Sequence, residues 1–157
     1  MILEDDIRLT QIGHLVLGCR SIVVLETKTY AGVITGEPDD AEWTQHLRGG
    51  EQRYEFLNPL RQNQRHCRAV EAQLAPDPPN IEGRVVSAGS AVFSDAIALE
   101  IVPIAKLADI FGGTVSDERP DERLLGGWRR LQSAASRGES LRERHATMRA
   151  TSRGRTT

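Results

Sequence analysis

The sequence predicts an α/β domain, a mixed and mostly antiparallel sheet with one packed helix and a C-terminal helical extension. Three observations carry that prediction. Two β-branched apolar runs, Ile12 to Leu17 and Ile22 to Lys28, are separated by the short turn Gly18-Cys19-Arg20-Ser21. Asn58-Pro59 supplies an N-cap and a proline at the first helical position. Leu60, Cys67, Val70 and Leu74 then recur at helical spacing. The length of 157 residues allows one domain with a real core and no comfortable second one.

The remaining elements follow in order. Residues 6–10 read as a first, partly exposed strand. Ala31 to Thr35 is another, closed by the turn-rich Gly36-Glu37-Pro38-Asp39-Asp40. Residues 41–57 are mixed and carry no clear period. The helix begun at Asn58 runs to about Ala75, where Pro76-Asp77-Pro78-Pro79 stops it; Gln62 and His66, four apart, share a polar face. Arg84 to Ala88, Ala91 to Phe93 and Ala98 to Val102 read as short strands, and Pro103 to Phe111 as a short helix ending at Gly112-Gly113. From 121 to about 148 a mostly polar helical region has Leu124, Leu125, Trp128 and Leu131 as apolar anchors, and Ser136-Arg137-Gly138 is a candidate break. Residues 151–157 are expected to be disordered. The domain division is therefore 1–115 for the α/β unit, 116–150 for a helical basic extension and 151–157 for the tail.

Composition excludes several classes. Apolar residues at 39% and charged residues at 27% mark a soluble globular chain. No run of about 18 apolar residues is present to cross a membrane, and the acidic start lacks the apolar stretch of a secretory signal. A cytoplasmic location is the expectation. Cys19 and Cys67 make no metal-spaced pair; two thiols in a reducing compartment is the preferred reading and a disulfide the alternative. The net charge of −2 hides an asymmetry, because residues 128–157 hold eight Arg and two Glu. That +6 block on a −8 body suits contact with nucleic acid, and equally suits a solvated helix that frays. Only Lys28 and Lys106 are lysines among 20 basic residues, which sets Lys28, beside a strand glutamate, apart.

Strand side chains alternate, so Glu26 and Lys28 share one face. A loop of two or four residues makes antiparallel partners sum to 39, and position 13 then stands opposite Glu26 at a Cβ distance of roughly 4.5–5.5 Å. A carboxylate there would complete a two-acid cradle for a hard cation such as Mg²⁺. The residue is Gly13, which has no ligand to offer. Taken alone, an E-x-K triplet is more often an exposed strand face than a site. Other candidates have plainer readings. His14 points to the opposite face, Trp43 is a core ring more readily than a base-stacking one, and Gly49-Gly50 and Gly112-Gly113 lack the context of a phosphate loop.

The ordered series changes the weight of the triplet. Thr10 to Leu17, then Ile22 to Gly32 around Glu26-Thr27-Lys28, then Trp43 and Gln45, then Phe56-Leu57-Asn58-Pro59-Leu60-Arg61-Gln62-Asn63 with His66, closely resembles the nuclease-related (NERD) family, itself similar to the PD-(D/E)XK nucleases. The resemblance covers about residues 7 to 94; residues 95–150 are only loosely similar to the segment that often follows this domain. It implies a restriction-endonuclease-like core and Mg²⁺- or Mn²⁺-dependent phosphodiester hydrolysis, of DNA rather than RNA. Carried over by position, Glu26 resembles the metal-binding Glu, Lys28 the active-site Lys and Gln62 a residue lining the same cleft, and the carbonyl of Thr27 is a backbone ligand. The family's Asp falls on Gly13, the place strand pairing singles out independently. Members usually open with a helix carrying a further Glu, whereas this chain begins almost on its strands. That helix is missing, or Met1 lies inside a longer reading frame. Impaired hydrolysis is the expectation, and a catalytically inactive nucleic-acid- or protein-binding domain the alternative.

Overall fold

The computed structural model describes residues 2–5, 8–112 and 119–136. Ten strands alternate with helices in the order β1 (Ile2–Asp5), β2 (Arg8–Gln11), β3 (His14–Leu17), β4 (Ile22–Lys28), β5 (Val33–Thr35), β6 (Glu42–Leu47), β7 (Gln52–Leu57), α1 (Pro59–Gln73), β8 (Ile81–Ser87), β9 (Val92–Phe93), α2 (Asp95–Ala98), β10 (Ile101–Pro103) and α3 (Leu107–Gly112). A further helix, α4, spans residues 122–136.

The α/β class is as predicted. Among the described residues the strands form a two-stranded ribbon, β1-β2, and two four-stranded sheets of mixed direction, ordered β10-β8-β4-β3 and β7-β6-β5-β9. Strand β4 sits inside the first sheet, antiparallel to β3 and parallel to β8. A parallel neighbour needs a long crossover, and the chain between β4 and β8 supplies it with the second sheet's hairpins and α1. The described ladders comprise four antiparallel pairs and three parallel ones.

Residues 41–57, where no period was evident, form the antiparallel hairpin β6–β7, Trp43 facing Phe56 and Gln45 facing Tyr54. Its turn is a short 3-10 segment, Arg48–Gly50, with Gly49 and Gly50 at positive φ. Those two glycines serve a tight turn. The first strand expected at 6–10 is instead the second arm of the β1–β2 ribbon, and residues 6 and 7 are not described. The segment expected as a strand from Ala98 is divided between one helical turn and β10. The break proposed at 136–138, the Arg-rich block beyond it and the 151–157 tail lie outside the described residues.

Three apolar clusters hold these layers together. On one face of β4, Ile22 and Val24 meet Ala69, Val70 and Leu74 of α1, Leu124, Leu131 and Ala134 of α4, and Ile12. The opposite face gathers Val23, Leu25 and Val86, with Leu107 packed against them. Between the sheets, Ile34 and Trp43 meet Val85, Ile97 and Ile101. Trp43 is fully buried, its indole N–H donating to the Glu37 carbonyl at 2.8 Å and its ring edge-on to Phe56.

Helix α1 begins where Asn58 fixes it. The Asn58 carboxamide oxygen accepts from the backbone N–H of Leu60 (2.8 Å), while its amide donates to the carbonyls of Pro38 (2.9 Å) and Asp40 (2.8 Å). One buried side chain thus caps the helix and pins the loop between β5 and β6. Gly83 on β8 lets α1 lie close: a Cβ there would stand 2.9 Å from Asn63 Nδ2 and 3.0 Å from Cys67 Sγ. At the far end Arg130 of α4 donates to the Ala75 carbonyl (2.9 Å), satisfying part of the exposed end of α1. Asp121 caps α4 in turn, accepting from the Leu124 N–H at 2.7 Å.

Candidate active-site cleft

The β3–β4 ladder pairs His14 with Leu25, Leu15 with Val24, Val16 with Val23 and Leu17 with Ile22, the register that the loop length predicts. The ladder ends at the His14–Leu25 pair; continued one step, its register would set Gly13 opposite Glu26. A Cβ at Gly13 would come near only the Leu25 carbonyl oxygen, at 3.6 Å, so the position is open to a side chain.

Glu26, Lys28 and Gln62 converge on one spot. Lys28 Nζ lies 2.6 Å from Glu26 Oε1 and donates to Gln62 Oε1 at 3.0 Å. The two β4 residues stand on one face by alternation, and Gln62 comes down from the first turns of α1. Thr27, between them, has its side chain exposed on the other face. His66, one turn beyond Gln62, is 5% exposed, and its Nδ1 lies 3.5 Å from Glu26 Oε2. That Nδ1 has no hydrogen-bond partner among the described residues.

The electrostatics of Glu26 are a contest. Burial is the largest single influence and pushes its pKa up, but the His66 and Lys28 contacts together outweigh it and hold the carboxyl below its usual range. Glu26 is therefore an anion at neutral pH. Burial, with the charge of Glu26 added to it, pushes the nearby Tyr30 phenol up to about 12.

Other residues singled out in the sequence lie elsewhere. His14 is exposed, and the Gln45 amide donates to the Ala31 carbonyl at 2.8 Å. Cys19 and Cys67 are free and half-buried. The burial of Asn63 is new relative to the sequence reading, which set the apolar stripe of α1 apart from a polar face, and His66 takes the cleft-facing place that reading gave only as its less favoured alternative to a surface histidine. The buried stripe is Pro59, Asn63, His66, Ala69 and Val70. Asn63 donates to the Val24 carbonyl at 3.1 Å, so the inward face of α1 is polar near its start. The i, i+3, i+7 spacing of Asn63, His66 and Val70 is the signal that identifies this face.

The donors present fit a hard cation poorly. Mg²⁺ is commonly anchored by one or two carboxylates that are free to take it. Here one carboxylate is available, with one of its oxygens already on Lys28. No group of three His, Cys, Asp or Glu stands together for a metal among the described residues.

The family model for the nuclease-related domain matches residues 1–88, more than half of the chain, and the chain belongs to that family. Membership makes residues 1–88 a nuclease-related domain. The chain is also 40% identical over 62 residues to an uncharacterised protein of Bacillus anthracis. That stretch is 40% of this chain and 28% of the relative, so the chain matches under a third of the relative's length. No solved structure matches. Among the described residues no helix is long and apolar enough to cross a membrane.

Proposed function

We propose that this nuclease-related domain engages DNA phosphodiesters at the Glu26–Lys28–Gln62 cleft, and that its hydrolytic capacity is impaired because position 13 carries no carboxylate. The observation that supports the reading most is the register. Continued one step beyond His14–Leu25, the β3–β4 register brings an open glycine opposite Glu26, where a second acid would have room.

Each side chain has work it can do without the missing acid. Lys28 is a cation beside the place where a phosphoryl group would lie, suited to offsetting charge that develops on its oxygens. Gln62 holds the Lys28 ammonium and keeps its own amide N–H donors for a phosphate oxygen or a water. Glu26 fixes Lys28 from the other side. A bound divalent ion would supply Lewis acidity and a more acidic water, and Glu26 with the Thr27 carbonyl are the residues proposed to hold it. The single available carboxylate favours a second reading, a domain that binds nucleic acid or a protein partner without cutting.

Cleavage of supercoiled plasmid with and without Mg²⁺ or Mn²⁺ separates the two. The parent should cut little or not at all. Gly13→Asp should raise metal-dependent cutting at least about tenfold, and adding Lys28→Ala should abolish the gain. Robust metal-dependent cutting by the parent would overturn the assignment of position 13 as the lost ligand. A folded Gly13→Asp variant that binds DNA and stays silent favours the non-cutting domain.

A further inference from the structure

An open edge strand offers unpaired N–H and C=O groups to another chain. Among the described residues, three of the four edges of the larger sheets are short: β10 has three residues, β3 four and β9 two. Strand β7 is different. It runs six residues, Gln52–Leu57, contains neither proline nor lysine, and pairs with β6 without a bulge. Arg53, Tyr54 and Glu55 are exposed in succession, Tyr54 at 53% although it shares a face with Phe56 and Trp43.

The Asn58 N–H donates to the Ala41 carbonyl at 3.0 Å, so the pair next to Glu42–Leu57 is a hydrogen-bonded one. Bonded and unbonded pairs alternate in an antiparallel ladder, so residues 52, 54 and 56 bond to β6. The backbone groups of Arg53, Glu55 and Leu57 then point outward from the sheet. Neither the Arg53 nor the Glu55 side chain takes part in an ion pair among the described residues.

A second copy meeting β7 antiparallel about a two-fold axis can be centred on Arg53, Tyr54 or Glu55 and keep these outward groups face to face. Centred on Arg53, the guanidinium stands opposite itself; centred on Glu55, the carboxylate does. Like charges directly opposite are destabilising. Centred on Tyr54, the Arg53 of each copy stands opposite the Glu55 of the other, and both pairs exchange backbone hydrogen bonds. The phenol rings meet at the axis as an unbonded pair, where side chains stand closest. One register therefore satisfies charge, hydrogen bonding and symmetry together.

We propose that β7 is a self-recognition edge, at which two copies of this chain pair antiparallel about Tyr54 and join their four-stranded sheets into one of eight. The contact is a single strand, at the small end of the range for protein interfaces, so affinity in the micromolar range or weaker is expected. The proposal stands apart from the proposed function, because β7 supplies no residue to the Glu26–Lys28–Gln62 cleft.

Sedimentation equilibrium on the full-length chain, from about 1 to about 300 µM, should show a monomer–dimer equilibrium. Arg53→Glu and Glu55→Arg reverse exposed charges and leave the β6 ladder in place, so both chains should fold. Each should weaken self-association at least about tenfold, because like charges then face each other twice. Mixed in equal amounts, the two variants should pair with one another about as tightly as the parent pairs with itself, since every juxtaposition is again of opposite sign. Under mild oxidation Tyr54→Cys should form a disulfide-linked dimer and Gln52→Cys should not, because the axis brings only the former within reach; the parent controls for Cys19 and Cys67. A parent that stays monomeric throughout that range, a dimer that neither charge reversal weakens, or a mixture that does not associate would overturn the proposal and leave β7 an edge guarded by its charges. Cross-linking at Gln52→Cys with none at Tyr54→Cys would overturn the register and the proposal with it.

Discussion

The two ends of the contact between α1 and β4 are built from opposite materials. Toward the C-terminus of the helix, Ala69, Val70 and Leu74 pack on Ile22 and Val24 with α4 closing over them. Toward its N-terminus, Gln62, Asn63 and His66 meet Val24, Glu26 and Lys28 through hydrogen bonds and charges. The same helix and strand run through both ends, so secondary structure does not distinguish them. Water does. Apolar burial stabilises whatever the detailed geometry, at roughly 25 cal/mol per Å². A buried carboxylate is tolerated only while its partners stay in place. One end of the contact therefore holds the helix down, and the other uses that support to keep charged groups out of water.

The largest effect that would sharpen this contrast lies at the apolar end. Leu74 is fully buried, and Leu74→Ala should destabilise the fold by about 2–5 kcal/mol in urea unfolding, with the loss independent of pH. A loss below about 1 kcal/mol would show that the apolar end is not the anchor.

The next effect lies at the polar end and does depend on pH. Lys28→Ala should cost about 2 kcal/mol near neutrality, less than a fully buried pair because Lys28 is 23% exposed. The sign follows from Glu26. Its folded pKa is lowered, so its favourable contribution is present above the unfolded carboxylate pKa and fades as pH falls through the folded one. In Lys28→Ala the burial influence is opposed by His66 alone, and the pKa rises. The gap between parent and variant should thus shrink on acidification below the carboxylate range. A gap that stays constant from pH 7 to pH 3 would count against an ion-pair origin.

The smallest effect concerns a group beside both ends. Burial, reinforced by the charge of Glu71, pushes the Cys67 thiol up to about 11. Its alkylation by iodoacetamide should be slow at pH 8 and climb toward pH 11 in the folded chain. Fast labelling of Cys67 at pH 8 would show that the helix opens readily from the sheet.

Much of this was legible in the sequence where a local rule had one solution. The register that sets Gly13 across from Glu26 follows from a four-residue turn and strand alternation, and the helix start follows from Asn58-Pro59. Of the four anchors named in the C-terminal helix, Leu124, Trp128 and Leu131 pack in the core cluster, while Leu125 is only half-buried and lies outside it. The β6–β7 hairpin was not legible, because Glu42-Trp43-Thr44-Gln45-His46 buries one large ring and leaves little apolar alternation. The inward turn of His66 was legible only as the less favoured of two readings, for a related reason. A polar residue on a helix reads as solvent-facing unless the charge it meets is known, and Glu26 lies 40 residues earlier on another element.

The packing of α4 has a consequence for how the chain is made. Leu124, Leu131 and Ala134 share one cluster with Ile12, Ile22 and Val24, residues separated from them by about a hundred positions. A ribosome that has released every strand of the two sheets has not yet released the last wall of that cluster. Until residue 134 emerges, the face of β4 that carries Glu26 lacks part of its cover, and the nascent chain presents apolar surface to whatever is near. Chaperone occupancy on stalled nascent chains should accordingly drop between stalls that expose residue 115 and stalls that expose residue 140.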